Sequence, residues 1–410
     1  MMNHSKSCLI VVENLPVPVD RRVWQEARAL RDNGWDVTVI CPQTPACPAS
    51  EVVIDGIQVY RHPLPVARGA AGFLVEYPLA LWHETRLALK AWRRRRFDVI
   101  HVCNPPDLLF LVALPYQLFG RALIFDQHDI CPELYESKFH RRGVLHSLLR
   151  AFEWLTFKCA DVVIAANQTF RDIAIGRGGK PPEDVFTVYS VPDLATFRRV
   201  TPLARAEGAP LVVGYVGVMG AQDGVGNLIE AAARLRARDL PVPFTVRLVG
   251  DGPELESLRR HAEERGVADL CEFTGFLGGE VLLKALSSFD IGVIPDPLDV
   301  YNDKISMNKV FEYSTLGLPI LAFNLAETRR LLGDAALYAA APTVEALADG
   351  LARLLSEPAL RRELGSRAAV LAARSFRWDD QVKALLAAYD RALDHRGRRP
   401  DLAAAGGSTP

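Results

Sequence analysis

The sequence predicts two tandem doubly wound α/β domains, and three observations predict them. At 410 residues the chain exceeds what one hydrophobic core usually holds. Short apolar runs alternate with amphipathic helical stretches, and Ile291–Ile294 is apolar without alternation, as a parallel strand covered on both faces must be. Periodicity is lost over residues 198–210, where Pro202, Gly208 and Pro210 mark a linker, and the same pattern then restarts. The expected division is a first domain over 1–200, a linker over 201–210, a second domain over 211–377, a C-terminal helix over 378–394 and a disordered tail over 395–410.

Composition narrows the function. A net charge of −1 and a pI near 6.8 argue against a nucleic-acid binder relying on overall charge. The seven cysteines contain no CxxC pair, so neither a zinc site nor a disulfide framework is indicated, and a reduced cytoplasmic setting is the simpler reading. No secretory leader is expected, because Asn3–Ser7 lead directly into a strand-length apolar run. The most apolar window, Leu108–Phe119, is too short to span a bilayer and reads as a buried helix.

In the first half, Leu9–Val12 reads as a strand, Val23–Asn33 as a helix stopped by Gly34, and Val37–Cys41 as the next strand. The intervening loop ends in Asp20, Arg21 and Arg22 at a helix start. Arginines there oppose the helix dipole, which points either to an anionic ligand or to a solvated helix end. Val53–His62 reads as a strand or hairpin. Gly72–Trp92 reads as a long helix bearing leucines and aromatics and followed by four arginines, Arg93–Arg96. Such a segment fits the surface of an anionic membrane, and a core-packed helix with a solvated basic end fits equally well. The strand Ala122–Phe125 delivers Asp126, Gln127, His128 and Asp129 to the carboxyl edge of the sheet, where open α/β sheets place ligands. A lone histidine is more often structural, but a polar turn after an apolar strand makes His128 the candidate of this half. Asp129 beside it would hold the imidazole tautomer or favour its charged form.

In the second half, Leu211–Val216 leads into a glycine-rich loop, GVMGAQDGVG at 217–226, and Phe244–Val249 into Gly250–Pro253. Neither loop has the GxGxxG spacing of a dinucleotide site, and no GxxxxGK[ST] occurs. The stretch Lys304–Pro319 reads as a ligand-binding turn and short helix after the strand Ile291–Ile294. Ser306 and Asn308 are good capping types, and Gly317 and Pro319 end the helix. A helix N-terminus at a strand's carboxyl end suits a phosphate, and Lys304 and Lys309 add full charges. Glu312, one turn on, would accept hydrogen bonds from neutral hydroxyls such as those of a ribose.

Three stretches, FDQHD at 125–129, VGDGPELESL with FTGFL within 249–277, and NKVFEYSTLGLPI at 308–320, resemble the GT-B glycosyltransferases. The closer likeness is to family four, the retaining group that includes enzymes of bacterial polysaccharide assembly, and it covers nearly the whole chain to about Ala392. The resemblance implies two Rossmann-like domains facing a central cleft, with the aromatic-led helix from Trp378 crossing back to the first. It implies that Glu312 binds the nucleotide ribose, that the start of its helix faces the donor diphosphate, and that Gly275 and Phe276 lie beside the base. Gly217 and Gly220 would let the backbone approach the diphosphate, and His128 would face the transferred sugar. Two positions depart from the family pattern: Val218 and Asp223 replace the usual arginine and lysine of the glycine loop, and Lys304 stands where a glutamate is common. Lys304 and Lys309 then become the candidate diphosphate cations, with Arg21 or Arg22 reaching across from the acceptor side and Asp303 serving the sugar hydroxyls.

The expectation is a glycosyltransferase with His128, Asp129 and Lys309 as catalytic candidates and Asn308 among the donor contacts. It would act from the cytoplasm on a nucleotide diphosphate sugar and a saccharide or polyprenyl-linked acceptor, with no metal or other cofactor and no nucleic-acid partner. Domain closure would bring His128 and Lys309 to opposite sides of the donor. The alternatives are a non-hydrolysing sugar-nucleotide epimerase and a catalytically silent sugar-nucleotide-binding scaffold.

Overall fold

In the computed structural model, which describes residues 6–63, 70–200, 208–238 and 240–398, the apolar runs form two separate sheets. One unit takes the described parts of Met1–Tyr135, Arg141–Tyr189 and Asp379–Pro410, and the other those of Glu136–His140 and Ser190–Trp378.

The first sheet holds β1 (Ser7–Val12), β2 (Asp36–Gln43), β3 (Glu51–Ile54), β4 (Ile57–Pro63), β5 (Val99–Cys103), β6 (Ala122–Gln127), β7 (Val162–Ala165) and β8 (Val185–Thr187). Their order is β3-β4-β2-β1-β5-β6-β7-β8, and only the β3–β4 hairpin is antiparallel. The helices are α1 (Arg21–Asp32), α2 (Ala70–Arg94), α3 (Phe110–Gln117), α4 (Cys131–Phe139), α5 (Val144–Cys159) and α6 (Gln168–Gly176). Strands β1, β5, β6 and β7 are buried along their whole length, which is why they read as unbroken apolar runs.

The second sheet is fully parallel, β11-β10-β9-β12-β13-β14. Its strands are β9 (Leu211–Val216), β10 (Phe244–Val249), β11 (Cys271–Gly275), β12 (Ile291–Ile294), β13 (Ile320–Ala322) and β14 (Ala336–Tyr338). They are joined by α7 (Val225–Arg236), α8 (Leu255–Glu264), α9 (Gly279–Ser287), α10 (Asn308–Thr315) and α11 (Ala326–Leu332), and followed by α12 (Val344–Ser356) and α13 (Pro358–Ser375). The last helix, α14 (Trp378–Arg398), belongs to the first unit from Asp379 onward. There Tyr389 is fully buried with its ring 4.8 Å from that of Trp35, and the Gln381 carbonyl accepts the Tyr189 amide at 2.9 Å. Strand order reverses between β1 and β5 in one sheet and between β9 and β12 in the other. These switch points open crevices at the carboxyl ends of the strands.

Two expectations change, and of the two readings of α2 the structure shows the core-packed one. The helix α3 is not buried all round: Phe110, Val112, Ala113 and Tyr116 cover the sheet, while Leu111, Leu114, Leu118 and Phe119 face outward. A helix in an outer layer has only one face to bury, however apolar its sequence. The cap position of α10 falls on Met307, which makes no side-chain cap bond, between the expected Ser306 and Asn308. The helix α2 is core-packed against β1, β2, β4 and α3, with Trp82 65% exposed on its outer face; the side chains of Phe73 and Leu74 lie outside the described residues. Residues 201–207 of the expected linker and 399–410 of the expected tail also lie outside them, and α14 continues through Arg398.

Glycines in the second unit mark close approaches. A Cβ at Gly292 in β12 would sit 2.6 Å from the Tyr313 ring, and one at Gly214 in β9 would overlap Phe289. Gly250, at φ +139°, has its Cβ position on the Gly217 carbonyl oxygen, because the two loops leaving β9 and β10 touch backbone to backbone. Gly250→Ala is therefore expected to destabilise the protein by roughly 3 kcal/mol or more. Gly266→Ala, at φ +66° in open space, is expected to lose only roughly 1–2 kcal/mol; urea unfolding of the two variants checks the difference.

Candidate functional site

In the first unit the site is built around Asp126, the fifth residue of β6. Asp20 caps α1 by accepting the Val23 amide at 3.0 Å, which fixes Arg22 in the first turn. Arg22 is buried and reaches Asp126 with two bonds, Nε to Oδ2 at 3.1 Å and Nη2 to Oδ1 at 2.7 Å, while its Nη1 donates to the Val188 carbonyl at 2.6 Å. The anion that compensates Arg22 at this helix start is thus a side chain of the protein. Arg21, its neighbour, is exposed.

His128 Nε2 lies 2.5 Å from Asp126 Oδ2. Asp126, two residues back along the chain, supplies a carboxylate bonded to this ring. Residues two apart leave an extended strand on the same side, whereas Asp129 falls on the other. Asn104 fixes the turn, its Oδ1 accepting the amides of His128 at 2.7 Å and Asp129 at 3.2 Å while its Nδ2 donates to the Asp129 carbonyl at 2.8 Å. Behind Asp126 stands His101, its Nε2 3.5 Å from Asp126 Oδ2 and its Nδ1 2.8 Å from the Tyr389 hydroxyl.

Burial alone would raise the Asp126 pKa, but Arg22 and then His128 hold it well below the usual carboxylate range. Burial, followed by the charge of Asp126, pushes Glu26 well above its ordinary value, and burial lowers His101. In this cluster Asp126 is held toward its ionised form on an arginine, while burial favours the neutral forms of Glu26 and His101. His101, Cys103 and Asp126 place ligand-type atoms within 4.8 Å of one another. With the guanidinium on both oxygens of Asp126 and burial pushing the Cys103 thiol well up, the set is poorly suited to a divalent ion.

In the second unit the carboxyl ends of β9, β10 and β12 carry the loops starting at Gly217, Gly250 and Pro295. Lys309, in the first turn of α10, is buried and donates to both oxygens of Asp296 at 2.8 and 2.7 Å, with its Nζ 5.0 Å from the centre of the Tyr215 ring. Tyr313, one turn on, accepts the Val216 amide at 3.0 Å, so α10 is pinned to the end of β9. Glu312 is buried in the same helix, and Asn308 is exposed at its start. Lys304 is half-buried. Asp303 Oδ1 accepts the Ala326 amide at 2.6 Å, which joins it to the start of α11. Buried Asn302 donates to the carbonyls of Gln222 at 2.9 Å and Pro297 at 3.0 Å, tying the glycine loop to the turn before α10. In that loop the Asp223 carboxylate accepts the Gly220 amide at 3.0 Å. Gly275 ends the edge strand β11, and an exposed Phe276 follows it.

The structure thus gathers Gly217, Gly220 and Lys309 at one switch point, and Arg22 and His128 around one carboxylate. Asp126, Asp296, Asn302 and Tyr389 join these clusters without having been singled out in the sequence. Only Asp126 left a signal there, its two-residue spacing from His128.

Two family profiles match the chain, one described as a glycosyl transferase 4-like domain over residues 19–190 and one as glycosyl transferases group 1 over 210–357. The 2-deoxystreptamine N-acetyl-D-glucosaminyltransferase of Streptomyces fradiae is 28% identical over 327 residues, 75% of each chain. Among solved structures, the sucrose-phosphate synthase of Thermosynechococcus elongatus superposes with a TM-score of 0.77 at 17% identity, covering 95% of this chain and 99% of that one. The Anabaena protein HepE, in complex with UDP and glucose, gives 0.69 at 16% identity, covering 94% and 99%. The chain is a GT-B glycosyltransferase. These matches support transfer over the epimerase alternative.

In this glycosyltransferase the loop acid has an unusual charge state. Burial, offset by Lys309 and reinforced by Asp296, raises the Asp223 pKa to about 6. Asp223 is therefore neutral below that pH and anionic above it. Nucleotide-sugar affinity is expected to weaken as pH rises through about 6 and to lose that dependence in Asp223→Asn, as calorimetric titration with an intact sugar donor would read. Asp126→Asn takes from the buried Arg22 the carboxylate that binds its guanidinium twice, leaving Glu26 Oε1 at 3.3 Å from its Nη2. It is expected to destabilise the protein by roughly 3–5 kcal/mol, measured by urea unfolding.

Proposed function

We propose that this glycosyltransferase moves a hexosyl or N-acetylhexosaminyl group, with retention at the anomeric carbon, from a nucleotide diphosphate sugar to a lipid-linked saccharide in bacterial surface polysaccharide assembly, at the cytoplasmic face of the membrane. The observation that carries the donor half is the convergence on the β9/β12 switch point of the glycine loop, the start of α10 and the Lys309–Asp296 pair. Uridine as the base is supported by the UDP complex of HepE. Retention and the acceptor rest on the likeness to family four.

As the anomeric bond breaks with oxocarbenium character, charge accumulates on the leaving diphosphate, and stabilising that charge is the main task. A helix terminus contributes roughly 0.3–1 kcal/mol when exposed, and more as water leaves. Lys309 enters the reaction as half of a neutral pair, so the arriving diphosphate competes with Asp296 for its ammonium. Glu312 accepts from the ribose hydroxyls, Gly275 and Phe276 flank the base, and no metal ion enters the scheme. His128, held by Asp126, takes part in transfer.

The test is nucleotide release across a donor panel, with membrane lipid extract as acceptor and product configuration read by NMR. His128→Ala and Lys309→Ala are each expected to lower turnover by about 10²-fold or more. Near wild-type rates in both would overturn the assignment. A second acceptor reading, an aminocyclitol of the kind named for the Streptomyces relative, is separated by adding 2-deoxystreptamine to the same panel.

A further inference from the structure

We infer that the outward face of α3 and α5 in the first unit is a docking surface for an anionic lipid bilayer. On α5, Val144, Leu148, Ala151 and Leu155 recur at i, i+4, i+7 and i+11 and are all exposed, Val144 by 81%, with Trp154 49% exposed at the flank. On α3, which packs beside α5, Leu111, Leu114 and Leu118 recur at i, i+3 and i+7, and Leu118 is 67% exposed. Phe119 extends this face to Trp92, 6.3 Å away between rings, and Arg121 and Arg96 stack on Trp92 at 5.3 and 5.7 Å. An apolar face two helices wide is more than scattered surface leucines account for.

The charges around it select the occupant. Arg141, Arg142, Arg150 and Lys158 on and before α5 are exposed, as are Arg93 and Arg96 at the end of α2. The only acid between Arg141 and Cys159, Glu153, is buried and bonded to Arg177. A second copy of the chain on this face would set like charges against each other, whereas an anionic headgroup layer takes cations around an apolar centre. Among the described residues no helix is long and apolar enough to cross a membrane, so the contact is one of lying on the surface. The basic end of α2 borders this face, while its apolar part comes from α3 and α5 and not from α2 itself.

The inference needs neither donor nor acceptor, so its failure leaves the transferase reading standing. Full-length enzyme is floated with vesicles of phosphatidylcholine alone or with about 30% phosphatidylglycerol added. Binding only to the anionic vesicles is expected, with the bound fraction falling about tenfold or more in Leu118→Glu/Leu148→Glu and in Arg141→Glu/Arg150→Glu. Thermal melting and nucleotide release in solution should stay at wild-type values in these variants, which excludes misfolding. As a readout on the unaltered face, quenching of tryptophan emission by brominated lipid should be stronger in wild type than in Trp154→Phe. Absence of binding to anionic vesicles, wild-type binding by the variants, or a dimer that the leucine substitutions dissociate would each overturn the proposal.

Discussion

A charge removed from water has to be matched, and in this protein two such matches hold Arg22, His128 and Lys309 in place. Arg22 and Lys309 are each the second residue of a helix, where the dipole disfavours a cation. Each is buried, and each meets an aspartate at the carboxyl end of a parallel strand, Asp126 in β6 and Asp296 just beyond β12. The pairs bolt a helix start to a sheet edge in both units. Their net contribution to stability is modest, since desolvation offsets attraction. Their geometric effect is larger, because removing either partner strands a charge and frees the loop beside it.

The two pairs differ in what they leave for chemistry. Asp126 also holds His128, so its carboxylate serves both a structural cation and a candidate catalytic ring. Asp296 holds Lys309 through both of its oxygens, and the raised Asp223 lies in the adjoining loop. In the proposed reaction one cluster stays fixed, whereas the other supplies an ammonium that changes partners. In a sugar-diphosphate transferase those properties suit, respectively, holding a ring in register and answering charge that grows during the reaction.

Fold class was legible because buried parallel strands such as Ile291–Ile294 leave continuous apolar runs, and because the glycine loops punctuate them. Asp126 as a partner of His128 was legible only through strand alternation, which puts residues two apart on one side, whereas chain adjacency pointed to Asp129. Arg22 with Asp126, 104 residues apart, and His101 with Tyr389, 288 residues apart, left no local signal, since only the tertiary fold creates them. The leucines of α3 misled in another way. Apolar composition predicts a preference for leaving water, yet an outer-layer helix can satisfy that preference on one side only.

The placement of Tyr389 also bears on how the protein is made. The first unit buries this side chain against His101 and Trp35, but α14 is the last helix among the described residues and the whole segment from Ser190 to Trp378 precedes it. A ribosome adding about 5–20 residues per second needs roughly 10–40 s to cross that interval. Throughout it the nascent first unit lacks the helix that closes over β1 and β5, leaving Cys8, Trp35 and His101 without their Tyr389 cover. The second unit can fold as it emerges, while the first, although synthesised earlier, is completed last.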